Sequence, residues 1–364
     1  MLAFVRDKSF WRSWRVLPWT SWRITALFCA VVLVVVACGE KGNDSTAVAS
    51  ENPLASDNCS LSETLCIGLV TDGGEIDDRS FNQSAWEGVS LAALELGAKA
   101  DFIETQDAQD YTSNIAQFAD EGYDVIVTVG FAITEATTEA AAKYPNINFI
   151  GVDQPQNTAI TNLAGLIFPE RQAGFLAGAL AGLLSESGVV AAVVGTDSAP
   201  PVVEFTEGYA SGARYINPNI EVIATYHPGG LDEAFSDPEW GASNARQNIA
   251  QGADVVFGGG GTTGNGALIE TAGFPGVFCI GVDADQWETV PQARPCLVSS
   301  AMKLIATGVR ELIENFQGGN FVGEVGLADY HDFWDSISKI TKIDAELRRI
   351  DAGLQDGSID PNDY

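Results

Sequence analysis

From Cys66 onward, short β-branched runs alternate with longer amphipathic stretches, and this alternation constrains the fold more than any other property of the chain. The runs fall at 66–71, 124–129, 147–152, 189–194, 220–225, 253–257, 277–282 and 296–300. Helical stretches lie between them, at 81–97, 112–121, 134–143, 170–185, 204–216, 241–251, 264–272 and 301–317. Strands separated by helices of this length imply βαβ units and parallel pairing. So many strands fit two doubly wound, Rossmann-like α/β lobes better than a single sheet. The expected crossings between lobes lie near 166–170, 288–297 and 318–323. They assign 63–167 with 297–318 to lobe 1 and 168–296 with 319–343 to lobe 2, leaving 344–364 as a C-terminal helix and tail. Within the stretch from Lys339 to Ile359, Ile343, Leu347, Ile350 and Leu354 share one helical face. The run from Gly174 to Leu184 is rich in small residues, as expected of a helix packed closely on a sheet.

The segment from Ile67 to Gly88 places an apolar strand before Asp72, a Gly73-Gly74 turn, and an amphipathic stretch led by Phe81, Asn82 and Trp86. Open α/β sheets bind ligands where strands end in such loops. Four further strand ends qualify: Gly130 to Glu135, Phe235 with Asp237, the glycine loop Gly258 to Gly266, and Gly281 to Gln286 with Lys303 beyond. Residue type suggests roles for a nucleoside-sized solute. Phe81 and Phe235 are candidates to clamp a flat base, Asp283 and Glu135 to accept from a vicinal diol, and Lys303 to donate to a ribose oxygen. The glycine loop lacks the G-x-x-x-x-G-K-[ST] pattern of a phosphate cradle.

The run VTDGGEIDDRSFNQSAWEG resembles the signature of the basic membrane protein (BMP) family, close to VTD-x-G-x-IDD-[KR]-SFNQ-x-[AS]-W-x-G. Weaker similarity extends over 66–360, including the closing Gly357-Ser358-Ile359. The family's best-understood members are bacterial purine nucleoside receptor lipoproteins of ABC transporters. The resemblance implies a fold like that of type I periplasmic binding proteins, with three crossings. It implies that Asp72 and Asn82 address the base, that Phe81 stacks on it, and that Phe235 is the second stacking ring. It also implies ligand roles for Asp283, for Gly264 or Gly266, and for Lys303. The family's aspartate in GF-x-x-x-D is Glu135 here, one methylene longer.

The N-terminus carries Arg6, Lys8, Arg12, Arg15 and Arg23 ahead of a 14-residue apolar run, Ile24 to Ala37. That length suits a signal peptide core rather than a membrane span. Val35-Val36-Ala37-Cys38 resembles a lipobox, with Val35 where leucine is usual. The reading is therefore a lipoprotein signal peptide over 1–37, lipidation at Cys38, and a flexible tether over 38–62. Without residues 1–37 the chain holds 14 basic and 48 acidic residues, a net of −34. So acidic a protein is a poor partner for nucleic acid and suits a neutral or cationic solute.

Cys59 with Cys66, and Cys279 with Cys296, are either two extracytoplasmic disulfides or buried thiols. With only His227 and His331 and no CxxC, no metal or other cofactor is expected. The leading expectation is a monomeric, lipid-anchored receptor that closes around a nucleoside and delivers it to an ABC permease. The same fold could carry a sugar or another small solute, or act as a ligand sensor. An extracellular nucleoside hydrolase would need a nucleophile or an acid–base pair that no motif supplies.

Overall fold

A computed structural model describes residue 59 and residues 63–231, 233–315, 321–323, 325–327 and 337–364. The expected signal peptide, Cys38 and nearly all of the tether lie outside the described residues. Lobe 1 opens with β1 (Cys66–Thr71), α1 (Phe81–Leu96), β2 (Lys99–Ile103), α2 (Tyr111–Asp120), β3 (Val125–Val129), α3 (Thr134–Lys143), β4 (Asn148–Val152) and β5 (Leu163–Ile167). Lobe 2 follows with α4 (Glu170–Leu184), β6 (Val189–Val194), α5 (Pro200–Ile216), β7 (Glu221–Tyr226), α6 (Pro238–Ala250), β8 (Val255–Gly258), α7 (Gly261–Thr271), β9 (Phe278–Asp283), α8 (Gln286–Thr289) and β10 (Leu297–Lys303). The last elements are α9 (Ile305–Asn315), β11 (Phe321–Val322), β12 (Val325–Leu327) and α10 (Ile337–Asp356).

Two six-stranded sheets result, ordered β11-β5-β4-β3-β1-β2 and β12-β10-β9-β8-β6-β7. Every pairing is parallel except that of β12 with β10. The central strands are buried on both faces, which explains their continuous apolar runs. The order in which strands are added reverses between β1 and β3 in one sheet and between β6 and β8 in the other. At such switch points neighbouring loops leave on opposite faces and open a crevice.

The first crossing, between β5 and α4, falls where the sequence places it. The second does not. Strand β10 pairs with β9 in the second sheet, so the crossing follows Lys303 rather than lying at 288–297, and 297–303 belong to lobe 2. The physical reason is the buried run Leu297–Ala301, which completes the sheet beside β9. Only then does α9 return to lobe 1, where Gly88 of α1 lies against Ala306 and Val309. The third crossing separates β11, in the first sheet, from β12, in the second.

The small residues of α4 serve a helix contact. Gly178 of α4 lies against the Tyr209 carbonyl of α5, and Gly212 of α5 lies against the Phe175 carbonyl, so a side chain at either would collide with backbone. Helix α10 buries Ile343, Leu347, Ile350 and Leu354 in the core of lobe 2. Disulfides join Cys59 to Cys66 and Cys279 to Cys296.

Candidate ligand-binding site

The C-terminal ends of the strands of both sheets face one cleft, the usual place for a ligand in such folds. On the lobe 1 side, Asp72 follows β1 and Gly130 follows β3. The Asp72 carboxylate accepts from the Ala132 amide at 3.1 Å and occupies the space a side chain at 130 would need. Gly130 has φ +112°, so glycine is demanded there twice over. Asp78 caps the start of α1, accepting from the amides of Ser80, Asn82 and Gln83 at 2.9, 3.0 and 3.1 Å. Asn82 is 4% exposed. Its Nδ2 donates to the carbonyls of Gly73 (2.8 Å) and Glu75 (3.2 Å), while its Oδ1 has no partner. A buried acceptor left unpaired is costly unless a ligand satisfies it.

On the lobe 2 side, Phe235 lies in a slot cut by Gly195 and Gly260, both without a side chain to block the ring. Phe81 and Phe235 both line the cavity. The two lobes touch through the signature loop. Ser80 Oγ donates to Asp283 Oδ2 at 2.8 Å, Asn265 Nδ2 to the Asp78 carbonyl at 2.8 Å, and Thr289 Oγ1 to the Arg79 carbonyl at 2.8 Å.

An internal echo sets the floor of the cleft. Gly151-Val152-Asp153-Gln154 runs through the end of β4, and Gly281-Val282-Asp283-Ala284-Asp285-Gln286 through the end of β9. Asp153 and Asp283 have φ +60° and +62°. With Arg79 they are the only non-glycine residues of positive φ among the described residues, and the two aspartates sit at the cleft. Such conformations persist where surrounding structure enforces them, typically at functional sites. In each copy the glutamine side chain packs on the motif's glycine; Gln154 Nε2 donates to the Gly130 carbonyl at 3.0 Å, whereas Gln286 Oε1 accepts from the Val282 amide at 2.9 Å and its Nε2 donates to Asn265 Oδ1 at 2.7 Å. Both aspartates line the cavity, and Asp153 Oδ1 has no partner.

Lys303, 3% exposed at the end of β10, lies between the two. Its ammonium bonds Asp153 at 2.5 Å and Glu170 at 3.0 Å. It also lies 5.2 Å from the ring centres of Phe81 and Phe168 and 5.5 Å from that of Phe205. Burial alone would lower its pKa, but Asp153, Glu170 and Asp283 together overturn that and raise it. Burial raises Asp153, Glu170 and Asp283 in turn, since three acids share one cation. Burial also pushes Asp72 to about 7 and Asp78 to about 6. The cleft therefore holds concentrated acceptors that hydroxyl or ring N–H donors would stabilise.

Of the sequence-derived candidates, Asp72, Phe81, Asn82, Phe235, Asp283 and Lys303 line one cavity. Three do not. Glu135 is exposed in the first turn of α3, where a carboxylate favours the helix dipole. Gly264 and Gly266 lie within α7, packed against Gly259 and Pro238; Gly259, Gly260 and Gly261 form the cavity wall instead. Asp237 caps α6 and Asp285 caps α8. Sequence reasoning missed Asp153, Asp78 and Phe205, and the echo of GVD around Asp153 and Asp283 was the available signal for the first. Glu135→Gln should leave ligand affinity within about twofold, the scale of a surface change away from the site; isothermal titration calorimetry is the check.

Two parallel-sheet lobes with a cleft between their switch points define the type I periplasmic-binding fold of solute receptors. Residues 67–334 match the Bmp family, described as "ABC transporter substrate-binding protein PnrA-like". The chain belongs to this family of ABC transporter substrate-binding proteins. It is 27% identical over 355 residues to the "CD4+ T-cell-stimulating antigen" of Listeria innocua, covering 89% of this chain and 94% of that protein. It is 27% identical over 318 residues to the "ABC transporter nucleoside-binding protein BmpA" of Lactococcus lactis, covering 82% and 85%. A solved solute-binding protein of an ABC transporter from Aeropyrum pernix superposes with a TM-score of 0.70 at 25% identity, covering 81% of this chain and 92% of that one.

Proposed function

We propose that this protein captures nucleosides, purine nucleosides foremost, and hands them to an ABC permease from the outer face of the membrane, held there by a lipid on Cys38. The observation that carries the reading is the unpaired, buried Asn82 Oδ1 beside Asp72, in a cavity that also holds Phe81 and Phe235. Together they offer an acceptor and a carboxylate for a base edge and rings for its faces. Asp153 and Asp283 take the role expected of Glu135 and Asp283, as acceptors for ribose hydroxyls. Lys303 orders those acids. The L. lactis relative carries "nucleoside-binding" in its name, which favours this cargo over a sugar. Two relatives, from Pyrococcus horikoshii and Pyrococcus furiosus, are named as lipoproteins, in keeping with the anchor.

The protein acts as a monomeric binder without catalysis, cofactor or nucleic-acid partner. Its buried His227 pairs with Asp237 at 3.4 Å and does not line the cleft, so it cannot serve as a base there. Mass spectrometry of the small molecule that co-purifies with the protein tests the cargo. The expected species is a purine nucleoside, and a co-purifying hexose would overturn the assignment.

A pH dependence follows from Asp72. A base N–H donor favours the ionised carboxylate, so affinity should rise as pH passes upward through about 7 and level off above it. Asp72→Asn should abolish that rise in a calorimetric titration series.

The stability of the empty protein runs the other way. Unfolded aspartates lose their protons near pH 4, whereas Asp72 and Asp78 hold theirs to about 7 and about 6. The native state therefore binds more protons between these limits, and stability falls as pH rises through that window.

A further inference from the structure

The cleft is two-faced. Lobe 1 brings Asp72, Asp78, Asn82 and Asp153 to it, with Phe81 and Phe131, while lobe 2 brings Val194, Val202, Phe205, Leu231, Phe257 and Val282, with Asp283 and Lys303 at one side. Part of the lobe 2 wall is the first turn of α5, and a helix N-terminus usually offers free N–H donors. Here it offers almost none. Pro200 and Pro201 have no N–H. The next two amides, of Val202 and Val203, both donate to the Ala199 carbonyl, at 3.0 and 3.3 Å. The Ala199 amide donates to the Thr196 carbonyl at 3.4 Å. A hydroxyl or charged group against this turn would lose water and gain no partner, and water itself needs polar partners to settle there.

Resting on the nucleoside reading above, we infer that the natural cargo is an uncharged nucleoside carrying an apolar appendage, alkyl or alkylthio, that lies against the first turn of α5. The base has its faces met by Phe81 and Phe235, so stacking does not account for the second apolar surface. Such an appendage has two chemical sources, a 5′-thioether on the sugar or an N-alkyl group on the base. Anionic extension is disfavoured at the same place, because the first turn of α5 offers no free amide, the nearby Lys303 is already paired with Asp153 and Glu170, and the opposite wall is acidic.

Ligand-free protein is titrated in a calorimeter with adenosine, 5′-deoxy-5′-methylthioadenosine, N6-isopentenyladenosine and adenosine 5′-monophosphate. At about fourfold per buried carbon, at least one appended nucleoside should bind about tenfold or more tighter than adenosine, and which one does so identifies the source. The monophosphate should bind at least tenfold more weakly than adenosine. Val202→Thr keeps the shape of the wall but adds a hydroxyl, and should cut the appended-to-plain affinity ratio by about fivefold. Adenosine binding as tightly as both appended ligands overturns this inference and leaves the nucleoside reading intact. Absence of binding by every nucleoside overturns both.

Discussion

Lys303→Met is expected to lower the melting temperature of the ligand-free protein by on the order of 10 °C at pH 8, through loss of about 3–5 kcal/mol. The ammonium is the one cation among the cavity-lining side chains, and it neutralises Asp153 and Glu170 directly with Asp283 nearby. Methionine fills similar volume but leaves three buried acids uncompensated. They must then take up protons in order to stay buried, which is easier at low pH. The loss should accordingly be much smaller at pH 5 than at pH 8, and differential scanning calorimetry at both values is the check. An equal shift at both pH values would mean that Lys303 acts through packing rather than charge.

Phe81→Ala is expected to weaken purine nucleoside binding by about 10- to 100-fold, the worth of one aromatic stacking partner. The ring is only half-buried and faces the cavity, so the melting temperature of the empty protein should change little beside the Lys303 effect. Unchanged affinity would remove Phe81 from the clamp. A large thermal shift with unchanged affinity would make it a core residue.

The strands and helices of both lobes were legible because their cores are buried on both faces and their helices have ordinary length. What escaped had weak patterning. β2 is an edge strand, Lys99–Ile103, with exposed and half-buried residues and no clear alternation. β5, Leu163–Ile167, is five residues with an Ala-Gly centre. The second crossing was misplaced because β10 looks no different in sequence whether it joins one sheet or the other; only its pairing with β9 decides.

The site divides in the same way. Residues in a contiguous motif, Asp72, Phe81 and Asn82, were found together. Asp283 and Lys303 were found as strand ends. Glu135 was chosen for its position in a motif, yet the first turn of α3 points it to solvent, and Asp153 from the next strand takes its place in the cleft. Gly264 and Gly266 misled for a related reason. A glycine-rich run reads as a loop, but here α7 begins at Gly261 and its glycines admit the backbone of α6 and of the preceding turn.

At the centre of this description is a claim about cargo: the cleft closes on one nucleoside, its base between Phe81 and Phe235 and its pentose hydroxyls on Asp153 and Asp283. The direct measurement is calorimetric titration of ligand-free protein with inosine, adenosine, uridine and glucose. The expected result is one-to-one binding of a purine riboside, tighter than uridine, with no heat from glucose. One-to-one heat from glucose and none from any riboside would contradict it.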